Sequence, residues 1–208
     1  MGNVIYLADR LAARTYATSG PRPAFFFDLA CPMSYLAAER VERVLGEVEW
    51  IPAMLSSSAA DPPRARTAAH RAHAETLAIA LRIPLVWPDG FPAPCPGAMR
   101  AACHAAEIGA AAGFALAAGR LAFCGGFDLE DPDILAEAAA AAGVQPEYSL
   151  AAAADPAYDA HMHATARRLR SAGVSELPAI SIDSAWLDGE AAAVEALALR
   201  RDLRFGRG

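Results

Sequence analysis

The sequence predicts an α/β protein whose sheet-forming core is interrupted by a long helical insertion. Three observations carry this expectation. A compact apolar run, Ala24-Phe25-Phe26-Phe27-Asp28-Leu29, leads straight into a helix and then into a second short apolar run around Trp50. Beyond Leu55 the chain is helix-patterned and proline-punctuated, and strand signals return only at Ala179–Ile182. Alanine supplies much of the 55% hydrophobic fraction. It removes little apolar area per residue but has the highest helix propensity, so the composition favours closely packed helices.

Met1 to Arg14 reads as a short helix and Thr15 to Pro23 as a linker. The run from Ala24 to Leu29 suits a buried strand. Cys31-Pro32-Met33-Ser34 opens a helix to about Leu45, with Pro32 in the first turn, where its missing N–H costs nothing, and Gly46 as the stop. Glu47 to Ala53 is the second strand. Ser56 to Pro63 is a loop, Arg64 to Leu81 a helix, and Ile83 to Pro96 a proline-rich crossing. Gly97 to Ala112 and Phe114 to Cys124 are helical, and Asp131-Pro132-Asp133 starts another helix through Ala142, stopped by Gly143. The core resumes with a helix from Asp155 to Ala172, a strand over Ala179–Ile182 after Leu177-Pro178, and Ala185–Leu187 as its hairpin partner. A last helix runs from Gly189 to about Leu199. The expected organisation is an N-terminal extension (1–23), a core in two pieces (24–55 and 155–208) and a helical insertion (56–154). A length of 208 residues fits one large domain of this kind.

Charge and segment composition exclude several function classes. Eighteen basic residues, all arginine, face 24 acidic ones for a net charge of −6. There is no basic run of the sort that neutralises phosphates, so no nucleic-acid partner is expected, and Arg167, Arg168 and Arg170 read as a solvated helix face. No stretch approaches the ~20 apolar residues of a membrane span. Asp9 and Arg10 interrupt the apolar N-terminus, which does not read as a secretory signal, so a cytoplasmic location is expected. The four cysteines, Cys31, Cys95, Cys103 and Cys124, form no C-x-x-C pair, and free thiols are the expectation in that compartment. His70 and His73 share a helix face and His161 and His163 lie close in sequence, but neither pair has the further ligands that zinc requires, and no metal is expected.

Chemistry concentrates at Cys31. A cysteine between a buried strand and a helix meets the first helical N–H groups and the positive end of the dipole, which is expected to lower its pKa. Ser34, one turn on, is placed to donate a hydrogen bond to that sulfur. Leu177-Pro178 precedes a strand where a cis proline would set backbone groups beside the thiolate. Cys95 and Cys124 fall in loop or helix-end positions, and nothing in the sequence relates them to Cys31.

The opening Phe26-Phe27-Asp28 through Cys31-Pro32-Met33-Ser34-Tyr35-Leu36 resembles the DsbA-like branch of the thioredoxin superfamily. It is most similar to 2-hydroxychromene-2-carboxylate isomerases and kappa-class glutathione transferases, whose opening reads Phe-Asp and then Ser-Pro-x-Ser-Tyr-Leu. Trp50-Ile51-Pro52, Phe91-Pro92 followed by Ala98-Met99-Arg100-Ala101, Asp131-Pro132 to Gly143, and Gly173 to Pro178 agree with those families in order, so the resemblance covers about residues 24 to 199. It implies a thioredoxin-like fold, a small-molecule substrate, homodimerisation and a low-molecular-weight thiol, glutathione or another, as cofactor. Carried over by position, Cys31 and Ser34 are the catalytic candidates, and Leu177, Pro178, Asp188 and Trp50 the cofactor-binding ones. Two departures stand out. Cys31 occupies the place of the families' first serine, and the loop Ser56-Ser57-Ser58-Ala59-Ala60-Asp61 lacks the basic and amide groups with which the isomerases hold carboxylates.

Three readings follow. The first is a glutathione-linked isomerase in which a thiol adds to a conjugated double bond, permits rotation and leaves. The second is a monothiol oxidoreductase acting on mixed disulfides. The third is a binding module with the fold and no catalysis, which requires an unreactive Cys31.

Overall fold

The computed structural model describes residues 22–55 and 68–189, together with Ala192. The expected N-terminal helix, the loop after Leu55 and nearly all of the last helix lie outside the described residues. Four strands and seven helices are described: β1 (Ala24–Phe27), α1 (Pro32–Leu45), β2 (Glu49–Pro52), α2 (Ala68–Leu81), α3 (Pro96–Glu107), α4 (Ala111–Phe123), α5 (Pro132–Ala141), α6 (Pro146–Ala154), α7 (Ala157–Ser171), β3 (Ala179–Ile182) and β4 (Ala185–Asp188).

The sheet is built outward from β1, all four of whose residues are buried. β2 pairs with it in parallel, Phe25 opposite Trp50, after the α1 crossover that parallel pairing needs. β3 pairs with its other edge in antiparallel fashion, Phe25 opposite Ile180, and β4 closes the order β2-β1-β3-β4. Alternation along β1 divides the core. Phe25 and Phe27 face the helices and meet Trp50 edge-on at 4.9 and 5.9 Å between ring centroids, whereas Phe26 faces the other way and packs on Trp186 at 5.4 Å. A strand buried on both faces reads as a continuous apolar run rather than an alternating one, as Ala24–Phe27 does.

Between β2 and β3 every described element is a helix, and these helices share one hydrophobic core with the sheet through Met99, Ala102, Phe114 and Phe123. Arg100 of α3 ties this layer together. It grips Asp159 of α7 through both carboxylate oxygens, at 2.7 and 2.9 Å, and donates to the carbonyl of Ala153 in α6 at 3.2 Å. The break between α3 and α4 falls at Ile108–Ala110, with Gly109 at φ 76°, and not at Gly113 as expected. Gly113 lies in the first turn of α4, where a glycine is tolerated, so a break is not required there. α6 is an element to which the sequence pattern assigns nothing, because its alanine run buries only Ser149 and Ala152 and carries no apolar stripe. No helix among the described residues is long and apolar enough to cross a membrane.

Glycine and alanine let α4 approach its neighbours closely. A Cβ on Gly113 would make ordinary contact with Ala142 at 3.5 Å, while one on Gly119 would press on the Tyr35 ring at 3.2 Å. That ring cannot yield, because it stacks on Phe123 and its hydroxyl donates to the carbonyl of Pro84 at 3.0 Å. Gly113→Ala is therefore expected to gain helix propensity and stabilise the protein by about 0.5–1 kcal/mol, raising Tm by roughly 2–4 °C. Gly119→Ala should lower Tm in the same thermal melt, and a rise equal to that of Gly113→Ala would contradict the packing described.

Candidate active site around Cys31

The carboxyl end of β1 delivers Asp28 to a tight turn, closed by the Cys31 N–H donating to the Asp28 carbonyl at 3.1 Å. The Asp28 side chain stiffens that turn, its Oδ1 accepting from the Ala30 N–H at 2.9 Å. Cys31 then stands at the N-cap of α1 in extended conformation (φ −100°, ψ 114°), with Pro32 at the first helical position. Its thiol donates to the carbonyl of Leu177 at 3.5 Å, and the peptide bond from Leu177 to Pro178 is cis. Two segments 146 residues apart in sequence thus meet at one sulfur.

Ser34 is 2% exposed and sits beneath that sulfur. Its oxygen accepts from the Asp28 N–H at 3.2 Å, leaving its own proton to point at Cys31. The Ser34 hydroxyl and the N–H groups of Ser34 and Met33 all favour a thiolate. They are outweighed. Burial pushes the Cys31 thiol up, the nearby Asp28 carboxylate pushes it further, and the balance stands at about 11. The expectation of an acidified thiol is corrected here: the helix N-terminus is present, but desolvation and a like charge exceed it. Asp28 is itself pushed up to about 6 by burial, against the Ala30 N–H that favours its charged form.

Asp28 belongs to the Phe26-Phe27-Asp28 motif, and the structure adds to it a role in the site. The usable signal was a carboxylate three positions before a helix-capping cysteine, at the end of a strand with no polar residue. The other candidates fare differently. Leu177 and Pro178 are brought to Cys31. Trp50 packs in the aromatic core: it is 7% exposed, meets Phe25 and Phe27 edge-on and donates its Nε1–H to Glu42 at 3.1 Å. Asp188 is used within the chain, its Oδ2 accepting from the N–H and hydroxyl of Ser175, at 2.7 and 3.1 Å, and from the Glu176 N–H at 3.3 Å. It shapes the loop that leads into Leu177.

The remaining cysteines are free thiols. Cys103 is buried in α3 and pushed up to about 12, chiefly by burial. Cys124 lies 2.9 Å from the Tyr35 hydroxyl at the end of α4. Cys95, 6% exposed, caps α3 as Cys31 caps α1. Leu29 and Ala30 form one wall of a small open cleft whose other walls include Phe91, Phe123, Phe127 and Cys95. Among the described residues no group of three or more His, Cys, Asp or Glu side chains is arranged to hold a metal ion.

Two predictions follow from this electrostatic balance. Alkylation of Cys31 by iodoacetamide, read by peptide mass spectrometry, should still be accelerating between pH 8 and 10, well above the free-cysteine midpoint of roughly 8.5. A plateau near neutral pH would show an activated thiolate instead. Asp28 has a folded-state pKa above its unfolded one, so its contribution to stability is complete below about pH 4 and is lost as pH rises through about 6. Asp28→Asn, which keeps the oxygen facing Ala30, should therefore stabilise the protein by on the order of 2–3 kcal/mol at pH 8 and by almost nothing at pH 4, measured by urea unfolding.

A model of the DSBA-like thioredoxin domain matches residues 24–199. No curated protein matches the chain. Among solved structures, a 2-hydroxychromene-2-carboxylate isomerase superposes with a TM-score of 0.74 at 15% identity, over 88% of this chain and 97% of that one. A probable DsbA oxidoreductase from Streptomyces coelicolor superposes at 0.67 and 20% identity, over 90% and 91% of the two chains. The cytosolic disulfide reductase DsbM from Pseudomonas aeruginosa, solved with GSH, superposes at 0.64 and 19% identity, over 88% and 99%. The fold is thioredoxin-like, and the chain belongs to the DSBA-like thioredoxin domain family.

Proposed function

We propose that this protein is a cytoplasmic thiol–disulfide exchange enzyme that uses glutathione, or a low-molecular-weight thiol like it, to reduce small disulfides. The observation that carries the reading is the placement of a thiol, rather than a hydroxyl, at the N-cap of α1 with its hydrogen aimed at the Leu177 carbonyl beside Pro178. In the exchange, the Cys31 thiolate attacks one sulfur of the substrate disulfide, the far sulfur leaves as a thiolate and takes a proton, and a mixed disulfide remains on Cys31. Ser34 and the N–H groups of the first turn hold the sulfur while it carries charge. The direction follows from the thiol's environment. Disulfide enzymes become strong oxidants when their reduced thiolate is stabilised. Burial and Asp28 withhold that stabilisation from Cys31, which favours its disulfide-bonded form and makes the reduced protein a donor of electrons.

A second reading, the glutathione-linked isomerase, is favoured by Ser34, which stands where a dithiol motif would carry its second cysteine. There glutathione itself would supply the adding sulfur and Cys31 would only position it. The Cys31→Ser variant separates the two. Glutathione-dependent reduction of hydroxyethyl disulfide should fall by at least ~100-fold in this variant, since a hydroxyl cannot form the mixed disulfide. Retention of that activity would overturn the exchange reading. Turnover of 2-hydroxychromene-2-carboxylate by both proteins would establish the isomerase, and absence of both activities with no glutathione adduct would leave a binding module.

A further inference from the structure

The protein has a second Cys-Pro helix start, at the head of α3. Cys95 caps α3 with Pro96 at its first position, as Cys31 caps α1 with Pro32. The two starts meet across the Asp28–Ala30 turn. Leu29, two residues before Cys31, donates its N–H to Met99 Sδ at 3.3 Å, and Met99 lies one turn after Cys95 on the same face of α3, its N–H bonded to the Cys95 carbonyl at 3.0 Å. Leu29, Ala30 and Cys95 line one cleft. The Asp28 carboxylate bears on both thiols, being the first charge to act on each after burial itself. Cys103 and Cys124 have no such relation to the turn, since Cys103 feels Glu107 and Asp159 and Cys124 meets Tyr35.

We propose that Cys95 is the resolving thiol for Cys31, supplying from a separate helix the second sulfur that the Cys-Pro-Met-Ser motif lacks. The inference rests on the exchange reading above. After the Cys31–S–S–R mixed disulfide has formed, Cys95 gives up its proton as it attacks the Cys31 sulfur. A Cys31–Cys95 bond forms, the Cys31–SR bond breaks, and RS⁻ leaves and recovers the proton. Over the cycle the substrate disulfide gains two electrons and two protons, and the protein dithiol loses them. Two molecules of a low-molecular-weight thiol then restore the dithiol and leave as their own disulfide.

The test uses the full-length wild-type protein with oxidised glutathione at pH 8, acid quenching and non-reducing peptide mapping by mass spectrometry. The expected product is a linked pair of peptides containing Cys31 and Cys95, lighter by two hydrogens than the separate thiols. Cys95→Ser and the smaller Cys95→Ala should instead accumulate glutathione on Cys31, with the adduct surviving at least ~10-fold longer than in the wild type. A wild-type protein that keeps glutathione on Cys31 while Cys95 stays free, or that links Cys31 to Cys124, would overturn the resolving role and leave the exchange reading intact. Absence of any Cys31 adduct or link in all three proteins would remove both.

Discussion

Burial of β1 on both faces is the constraint on which the rest of the molecule depends. A strand of four buried residues needs an apolar partner on each side, and the chain supplies helices on one face and the Trp186 face on the other. It also needs both edges paired, which brings β2 and β3, distant in sequence, against the same four residues. The consequence for chemistry lies at the end of the strand. Whatever follows Phe27 must leave the interior, and it does so in one turn, Asp28 to Cys31, whose backbone bond and Asp28 side chain fix the direction of α1. Pairing of β3 with β1 carries Leu177 to the same end. The thiol, the serine beneath it and the carbonyl in front of it are therefore positioned by the sheet and not by the loops themselves.

That end of the strand sets two physical effects against each other. A helix N-terminus is worth about 0.3–1 kcal/mol to a nearby anion, and up to ~2 kcal/mol in favourable partly buried geometry. Burial can shift a thiol by several units, each worth about 1.4 kcal/mol, and a neighbouring carboxylate adds to it. With Asp28 beside the sulfur the second pair prevails. The same carboxylate is needed for the turn, since its Oδ1 takes the Ala30 N–H. A group that shapes the site thus also sets its electrostatics, and the cost appears as the raised pKa of Asp28 itself.

Much of this was legible in the sequence. The β1–α1–β2 opening, the helical middle and the late hairpin all follow from apolar runs, helix stops and prolines, which are local signals. Cys31, Ser34 and Leu177-Pro178 were found because each sits at an element boundary that the pattern marks. For Trp50 a core place is the readier reading from sequence, and its edge-on contacts with the Phe25 and Phe27 rings agree with it. What escaped notice depended on long-range packing. Asp188 carries a carboxylate suited to an amine, yet the Ser175 and Glu176 N–H groups claim it once the hairpin folds. The alanine run of α6 has no apolar stripe to read, and the acidity of Cys31 was misjudged because the dipole is a local feature whereas desolvation is a property of the whole fold.

The two Cys-Pro helix starts are arranged differently from the two cysteines of a Cys-x-x-Cys loop. In such a loop both sulfurs share one helix N-terminus, so whatever stabilises one as a thiolate also acts on the other. Here Cys31 and Cys95 each stand at the N-cap of their own helix, and the Asp28 carboxylate acts on both. Each dipole then serves one sulfur, while Asp28 opposes ionisation of both. Independently of both dipoles, α3 is docked on the Asp28–Cys31 turn by the Leu29 N–H bonded to Met99 Sδ, so the packing that fixes one helix start also fixes the other.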